Sequence, residues 1–180
     1  MKKALIVIDL QNDYFPGGKM QLDNTQEVLE NTNKLIKYAR EQEYKIYFIQ
    51  HIAKKEDAPF FVRNTQGVKL YNKLDLQNDL VIIKNYPNSF RETNLHEELL
   101  KHNIQDLLIC GAMTHMCIDT TTRAAFDLGY KCTLVSDCCA TKELKFQEKT
   151  IKSEDVQNSC LAALNGTFCD IFDTKELILN

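Results

Sequence analysis

Six short apolar runs constrain this chain more than any other feature: ALIVI (4–8), IYFI (46–49), LVII (80–83), LLIC (107–110), CTLV (132–135) and FCDIF (168–172). Most are near-continuous rather than alternating, as strands buried on both faces are. Helical periodicity lies between several of them. Over residues 25–42, Val28, Leu29, Thr32, Leu35, Ile36 and Ala39 share one face, with Asn24 and Glu27 spaced as a capping box. Residues 94–102 repeat the pattern with Leu95, Leu99 and Leu100 behind Thr93. Residues 115–128 gather Cys117, Thr121, Ala124, Ala125 and Leu128 ahead of a stop at Gly129, and a last helix is expected from Ser153 to Asn165-Gly166. Strands alternating with helices predict an α/β fold with a mainly parallel sheet covered on both sides. No repeat or linker divides the 180 residues, so one domain over 1–180 is expected.

The net charge of −3, with Lys and Arg spread among acids, gives no reason to expect nucleic acid or an anionic membrane as partner. No segment has the length of a membrane span. The first run is interrupted by Asp9, too short for a signal-peptide core, and no small-residue cleavage site follows. Seven cysteines, an odd number without regular spacing, argue against a disulfide framework and for a reducing, cytoplasmic compartment. One segment breaks the alternation. Residues 52–79 carry only a weak helical pattern, and a connection of that length is usually functional. Its Phe60-Phe61 pair suits either a ligand cover or a packing or subunit contact.

Open parallel sheets bind ligands beyond the carboxyl ends of their strands. Past the first run stand Asp9, Gln11, Asn12, Asp13 and Tyr14; past the third, Lys84; past the fourth, Gly111 to Cys117. With Thr114 as a helix cap, Cys117 falls in the first turn, where unpaired N–H groups and a nearby ammonium lower a thiol pKa. The same N–H groups can stabilise an oxyanion, and a carboxylate such as Asp9 can relay the thiol proton to a leaving amine. The plainer alternative for any cysteine is a small buried hydrophobe. Cys110, Cys132, Cys138, Cys139, Cys160 and Cys169 read that way. His51, His96 and His102 share no ligand spacing and read as structural.

Asp9 in VIDLQNDY, Lys84 in VIIKNYPNSF and Cys117 in CGAMTHMCIDTTTRAAFDLGY resemble the isochorismatase-like cysteine hydrolases, the superfamily of nicotinamidase and N-carbamoylsarcosine amidohydrolase. The resemblance covers residues 4–173. It implies a single three-layer domain with a six-stranded sheet ordered 3-2-1-4-5-6 and helices on both faces. It also implies a triad in which Cys117 is the nucleophile, Asp9 the general base and acid, and Lys84 the cation lowering the thiol pKa. A non-proline cis peptide is implied at Ala112-Met113, with the amides of Met113 and Cys117 as oxyanion hole. Gln11 matches a position that orients the aspartate and, with Tyr14, Phe60 and His115, is placed at the substrate pocket; a structural role for His115 stays open. A homodimer or higher homo-oligomer is implied as well.

Three departures narrow the expectation. Isochorismatases proper can lack the cysteine, so its presence favours acyl chemistry on an amide. The place where nicotinamidases carry an Asp-x-His metal pair reads Gln50-His51-Ile52-Ala53, so no metal is expected. Asn88-Ser89-Phe90 resembles the N-carbamoyl amidohydrolases, and THMCIDTTTR resembles members that include hydrolases opening streptothricin-type lactams. The expected function is cofactor-free hydrolysis of a small amide or other non-peptide C–N bond through a thioester. An isochorismatase-type hydrolase and a silent ligand-binding member of the fold are the alternatives.

Overall fold

The structure, a computed structural model, describes residues 2–179. The first five apolar runs lie in strands and the sixth supplies one with its last three residues: β1 (Lys2–Ile8), β2 (Lys45–His51), β3 (Leu80–Lys84), β4 (Ile104–Ala112), β5 (Lys131–Ala140) and, after a hairpin, β8 (Asp170–Phe172). They form one parallel sheet in the order β3-β2-β1-β4-β5-β8. This is the expected 3-2-1-4-5-6 order with two additional strands inserted in sequence. Those are β6 (Leu144–Phe146) and β7 (Lys149–Ile151), an antiparallel ribbon outside the main sheet.

Alternate residues of each strand feed two cores. Leu5 and Val7 of β1, Ile46 and Phe48 of β2 and Leu108 and Cys110 of β4 pack on one face with α1 (Thr25–Glu41). Ala4, Ile6 and Ile8, Tyr47 and Ile49, and Leu107 and Ile109 pack on the other, with α2 (Leu95–Lys101), α3 (Asp119–Asp127) and α4 (Ser153–Leu164). A short α5 (Thr174–Leu179) lies against α1. Burial on both faces is why the runs are apolar without alternation.

Four local expectations change. Asn24 sits in the left-handed region (φ 56°) and its side chain does not cap α1, so no capping box forms. The expected helix from residue 115 is two pieces: a π turn, Thr114–Ile118, then α3. Its start is organised by the Met113 carbonyl, which accepts from the N–H groups of Met116 (3.0 Å) and Ile118 (3.2 Å), while Thr114 donates its hydroxyl to Ala140 O (3.1 Å). The strand of the sixth run begins only at Asp170, and β5 runs on through the adjacent Cys138 and Cys139, both buried.

The long segment after β2 forms no helix and is stitched to the end of β1. Asn12 and Asp13 donate their N–H groups to Lys69 O and Gly67 O (both 2.9 Å), and Tyr71 N–H reaches Leu10 O (2.9 Å). The buried Asp13 carboxylate accepts from Phe61 N–H (2.7 Å) and Lys19 N–H (3.2 Å). Charge-assisted bonds of this kind hold an irregular loop in one place. The result is a fixed wall beside the carboxyl ends of β1 and β2.

Candidate active site

Strands β1 and β4 diverge in their connections at the switch point of the sheet, the place where a crevice opens. Asp9 leaves β1 there with φ 54°, an uncommon conformation for a residue with a side chain and one that clusters at functional sites. Opposite it, Gly111 has φ 123°, and a Cβ at that position would lie 2.0 Å from Ile8 O. Only glycine lets β4 pass so close to β1, and the chain then turns through the cis Ala112–Met113 peptide into the π turn that carries Cys117.

Lys84 arrives from the end of β3, across β2. Its ammonium lies 2.7 Å from Asp9 Oδ2, 3.2 Å from Cys117 Sγ, 3.1 Å from His51 Nδ1 and 3.1 Å from Tyr86 O. Asp9 is 0% exposed, Lys84 1% and Cys117 5%. Thus the acid, amine and thiol, separated by up to 108 positions in sequence (117 − 9), meet in one dry cluster. The Ser89 loop that follows is pinned to α3, with Ser89 N–H donating to Thr121 Oγ1 (3.1 Å) and Thr121 to Ser89 Oγ (2.9 Å).

The electrostatics reverse one expectation. The Cys117 thiol is pushed up to about 12, first by burial and then by the Asp9 charge, and Lys84 offsets only part of this. For Lys84, burial disfavours the charge, but facing Asp9 and Cys117 outweighs it and the pKa rises. At rest the site therefore pairs a charged Lys84 with a neutral thiol. A first-turn position and a cation do favour the thiolate, but not enough to overcome desolvation beside a carboxylate.

The other site residues divide. Tyr14 is buried, and its phenol is raised well above its ordinary range, first by burial and then by Asp9. Phe60 and Phe61 pack on Tyr14 with centroids 5.7 and 4.6 Å away. Gln11 does not reach Asp9's carboxylate. Its amide donates to His51 O (2.9 Å) and Val68 O (2.6 Å) and accepts from His51 N–H (2.7 Å), so it fixes the end of β2. His115 is half-buried on the turn, with Nδ1 2.6 Å from Thr141 Oγ1, and its pKa is lowered by burial and then by Lys142. A cleft of about 370 Å³ between α1, β5 and α4 includes Thr141 but none of the triad.

His51 is the residue that sequence reasoning missed. It is the register partner of Lys84 across β2 and β3, and its donor atom, with those of Asp9 and Cys117, lies within 4.8 Å of the others. A carboxylate, an imidazole and a thiol at that spacing suit a metal ion in composition. The Lys84 ammonium stands among the three, however, and a fixed positive charge there opposes a cation. The donor set does not fit a metal while Lys84 holds its place.

Burial, and then Lys84, lower the His51 pKa from 6.5 to about 4. The unfolded chain then binds more protons between about 6.5 and about 4, so stability falls as pH drops through that window. The slope is expected to be on the order of 1 kcal/mol per pH unit, and urea midpoints measured from pH 7 to pH 4 will show it flattened in His51→Gln. Equal slopes in the two proteins would contradict it.

A doubly wound parallel sheet that gathers a thiol, an ammonium and a carboxylate at its switch point is an arrangement suited to hydrolytic chemistry. Comparison with known proteins names the family. Residues 3–162 match the Isochorismatase domain, and the chain belongs to the isochorismatase family. The isochorismatase family protein YddQ of Bacillus subtilis, itself uncharacterized, is 40% identical over 179 residues, 99% of each chain. A crystal structure of an isochorismatase-type hydrolase from Oleispira antarctica superposes with a TM-score of 0.94 at 37% identity, covering 99% of this chain and 97% of that one. Nicotinamidase 3 of Arabidopsis thaliana is 26% identical over 161 residues, 82% of this chain and 78% of its own. No described helix is long and apolar enough to cross a membrane.

Proposed function

We propose that the chain hydrolyses a small amide, or another non-peptide C–N bond, through a thioester on Cys117. The observation that carries this is the Lys84 ammonium held 2.7 Å from Asp9 and 3.2 Å from Cys117 in a buried cluster. Kinship with a nicotinamidase, by name an enzyme acting on an amide, supports it.

As the substrate carbonyl approaches, the Cys117 thiol gives its proton to Asp9 and the sulfur bonds to the carbonyl carbon. The developing oxyanion is received by the amides of Met113 and Cys117. Asp9 then passes the proton to the departing nitrogen, the C–N bond breaks, and ammonia or an amine leaves a thioester. Water attacks next, giving one proton to Asp9; the C–S bond breaks, the acid leaves, and the proton returns to sulfur. Lys84 stays charged throughout and offsets the negative charge that Asp9 and Cys117 share. No cofactor takes part in this scheme.

The experiment is turnover of a panel of small primary amides, ureido acids, lactams and a vinyl ether, read as ammonia release for the amides and ureido acids and as loss of substrate for the lactams and the vinyl ether. Turnover of an amide or ureido acid supports the reading; turnover of the vinyl ether alone overturns it. The seven free cysteines fit a reducing cytoplasm, and the family resemblance fits a homodimer or larger assembly acting on a small molecule; both belong to the proposal.

A further inference from the structure

We propose that His51 is a positioning residue: by accepting one N–H of the Lys84 ammonium through Nδ1, it turns another toward the Cys117 sulfur and leaves the Asp9 carboxylate free to take the thiol proton. This deepens the amidohydrolase reading of the site and rests on it.

An ammonium carries three hydrogens and no lone pair. That of Lys84 makes three hydrogen bonds: to His51 Nδ1 (3.1 Å), Tyr86 O (3.1 Å) and Cys117 Sγ (3.2 Å). Asp9 Oδ2 is nearer, at 2.7 Å, yet neither Asp9 oxygen has a hydrogen-bond partner among the described residues. The contact between them is one of charge, outside the geometry of a hydrogen bond. Bonds between two charged groups are the stronger ones, so an unconstrained ammonium would aim a hydrogen at the carboxylate. Here two uncharged acceptors claim two hydrogens, and the third is left for the sulfur.

Both acceptors are held by the backbone. Tyr86 O is a main-chain carbonyl two residues from Lys84. His51 is the register partner of Lys84 across β2 and β3, and Gln11 clamps it by accepting its N–H (2.7 Å) and donating to its C=O (2.9 Å). Gln11 thus acts on the triad through His51 and Lys84. An imidazole nitrogen accepts only while unprotonated, and burial, then Lys84, lower the His51 pKa to about 4. Two effects follow at the reacting atoms. The N–H on sulfur favours the thiolate, in the direction in which Lys84 acts against burial and the Asp9 charge. The Asp9 oxygens meanwhile keep their lone pairs open for the thiol proton. Without the His51 acceptor, the freed hydrogen swings to Asp9, which weakens the base and draws the donor away from the sulfur.

The test needs no substrate. Alkylation of Cys117 by iodoacetamide, which reports its thiolate, is followed at pH 8 by mass spectrometry in wild type, His51→Leu and His51→Asn. Leu offers no acceptor; Asn puts an amide oxygen close to where Nδ1 stands. The rate is expected to fall about tenfold in His51→Leu, as for one unit of thiol pKa, and to stay within about threefold of wild type in His51→Asn. General loosening of the site would expose the thiol and speed alkylation, the opposite sign. A rate unchanged or raised in His51→Leu, or slowed equally in both variants, overturns the proposal. Should His51→Leu not fold, His51→Val removes the same acceptor and carries the same expectations. On an amide that is turned over, kcat should follow the same order with KM within about twofold; a raised KM at unchanged kcat would make His51 a substrate-binding residue instead. If wild type hydrolyses no amide while alkylation falls and recovers as stated, the functional reading fails and the positioning stands. Amide turnover with alkylation unmoved in His51→Leu gives the reverse.

Discussion

Cys117→Ala will lower kcat for the amide substrate by about 10⁴- to 10⁶-fold while leaving the fold almost as stable, because in the proposed mechanism the sulfur is the bond-forming atom and it is only a small part of the core. Ammonia release at saturating substrate and a thermal melt, measured on one preparation, separate the two effects. Activity within about tenfold of wild type would remove the thioester from the mechanism. Asp9→Asn should cost about 10²- to 10⁴-fold, the range of a general acid–base residue. The neutral resting thiol adds a pH signature. With its pKa pushed up to about 12, the thiolate fraction of Cys117 grows tenfold per pH unit right through the alkaline range. Alkylation of the native enzyme should therefore climb from pH 7 to pH 10 without levelling. A plateau near pH 7 would mean an already ionised sulfur.

That signature differs from the one the sequence suggested, and the reason is physical. The helix-start position and the cationic neighbour are both local features and can be read from GAMTHMC and from the residue after the third run. Desolvation is a property of the whole fold. Nothing in the sequence around Cys117 says that the site is nearly sealed or that the Asp9 charge opposes the effect of Lys84 on the thiol. The π turn was hidden for the same reason, since it depends on where Met113's carbonyl stands after β4. The sheet order was legible because six doubly buried strands leave a strong apolar signature, whereas the β6–β7 ribbon, mostly exposed, leaves almost none.

His51 was legible in part. The search past the ends of the strands found Asp9, Lys84 and Gly111 to Cys117, and the same search at the second run lands on Gln50 and His51. The parallel register then puts His51 beside Lys84. What hid it was a question framed about metal ligands alone, for which one histidine is too few. A histidine that accepts from an ammonium serves a different purpose and needs no second histidine.

The Lys84–Asp9 pair gives the other large effect, and here stability and catalysis should part company. Both side chains are fully buried, so removing one charge strands the other in a dry interior, at a cost of about 3–5 kcal/mol. Lys84→Met strands the carboxylate, and Asp9→Asn strands the ammonium. The double variant removes both charges, and its loss is expected to be smaller than the sum of the two by about 2–3 kcal/mol. Chemical unfolding at pH 7.5 of all four proteins closes the cycle. Turnover should show no such recovery, because the double variant lacks both the proton carrier and the cation beside the sulfur. Additive stability losses would mean that the ammonium is held chiefly by His51 and the Tyr86 carbonyl; recovered turnover would mean that the pair is an architectural feature of the fold and the proton from Cys117 goes elsewhere.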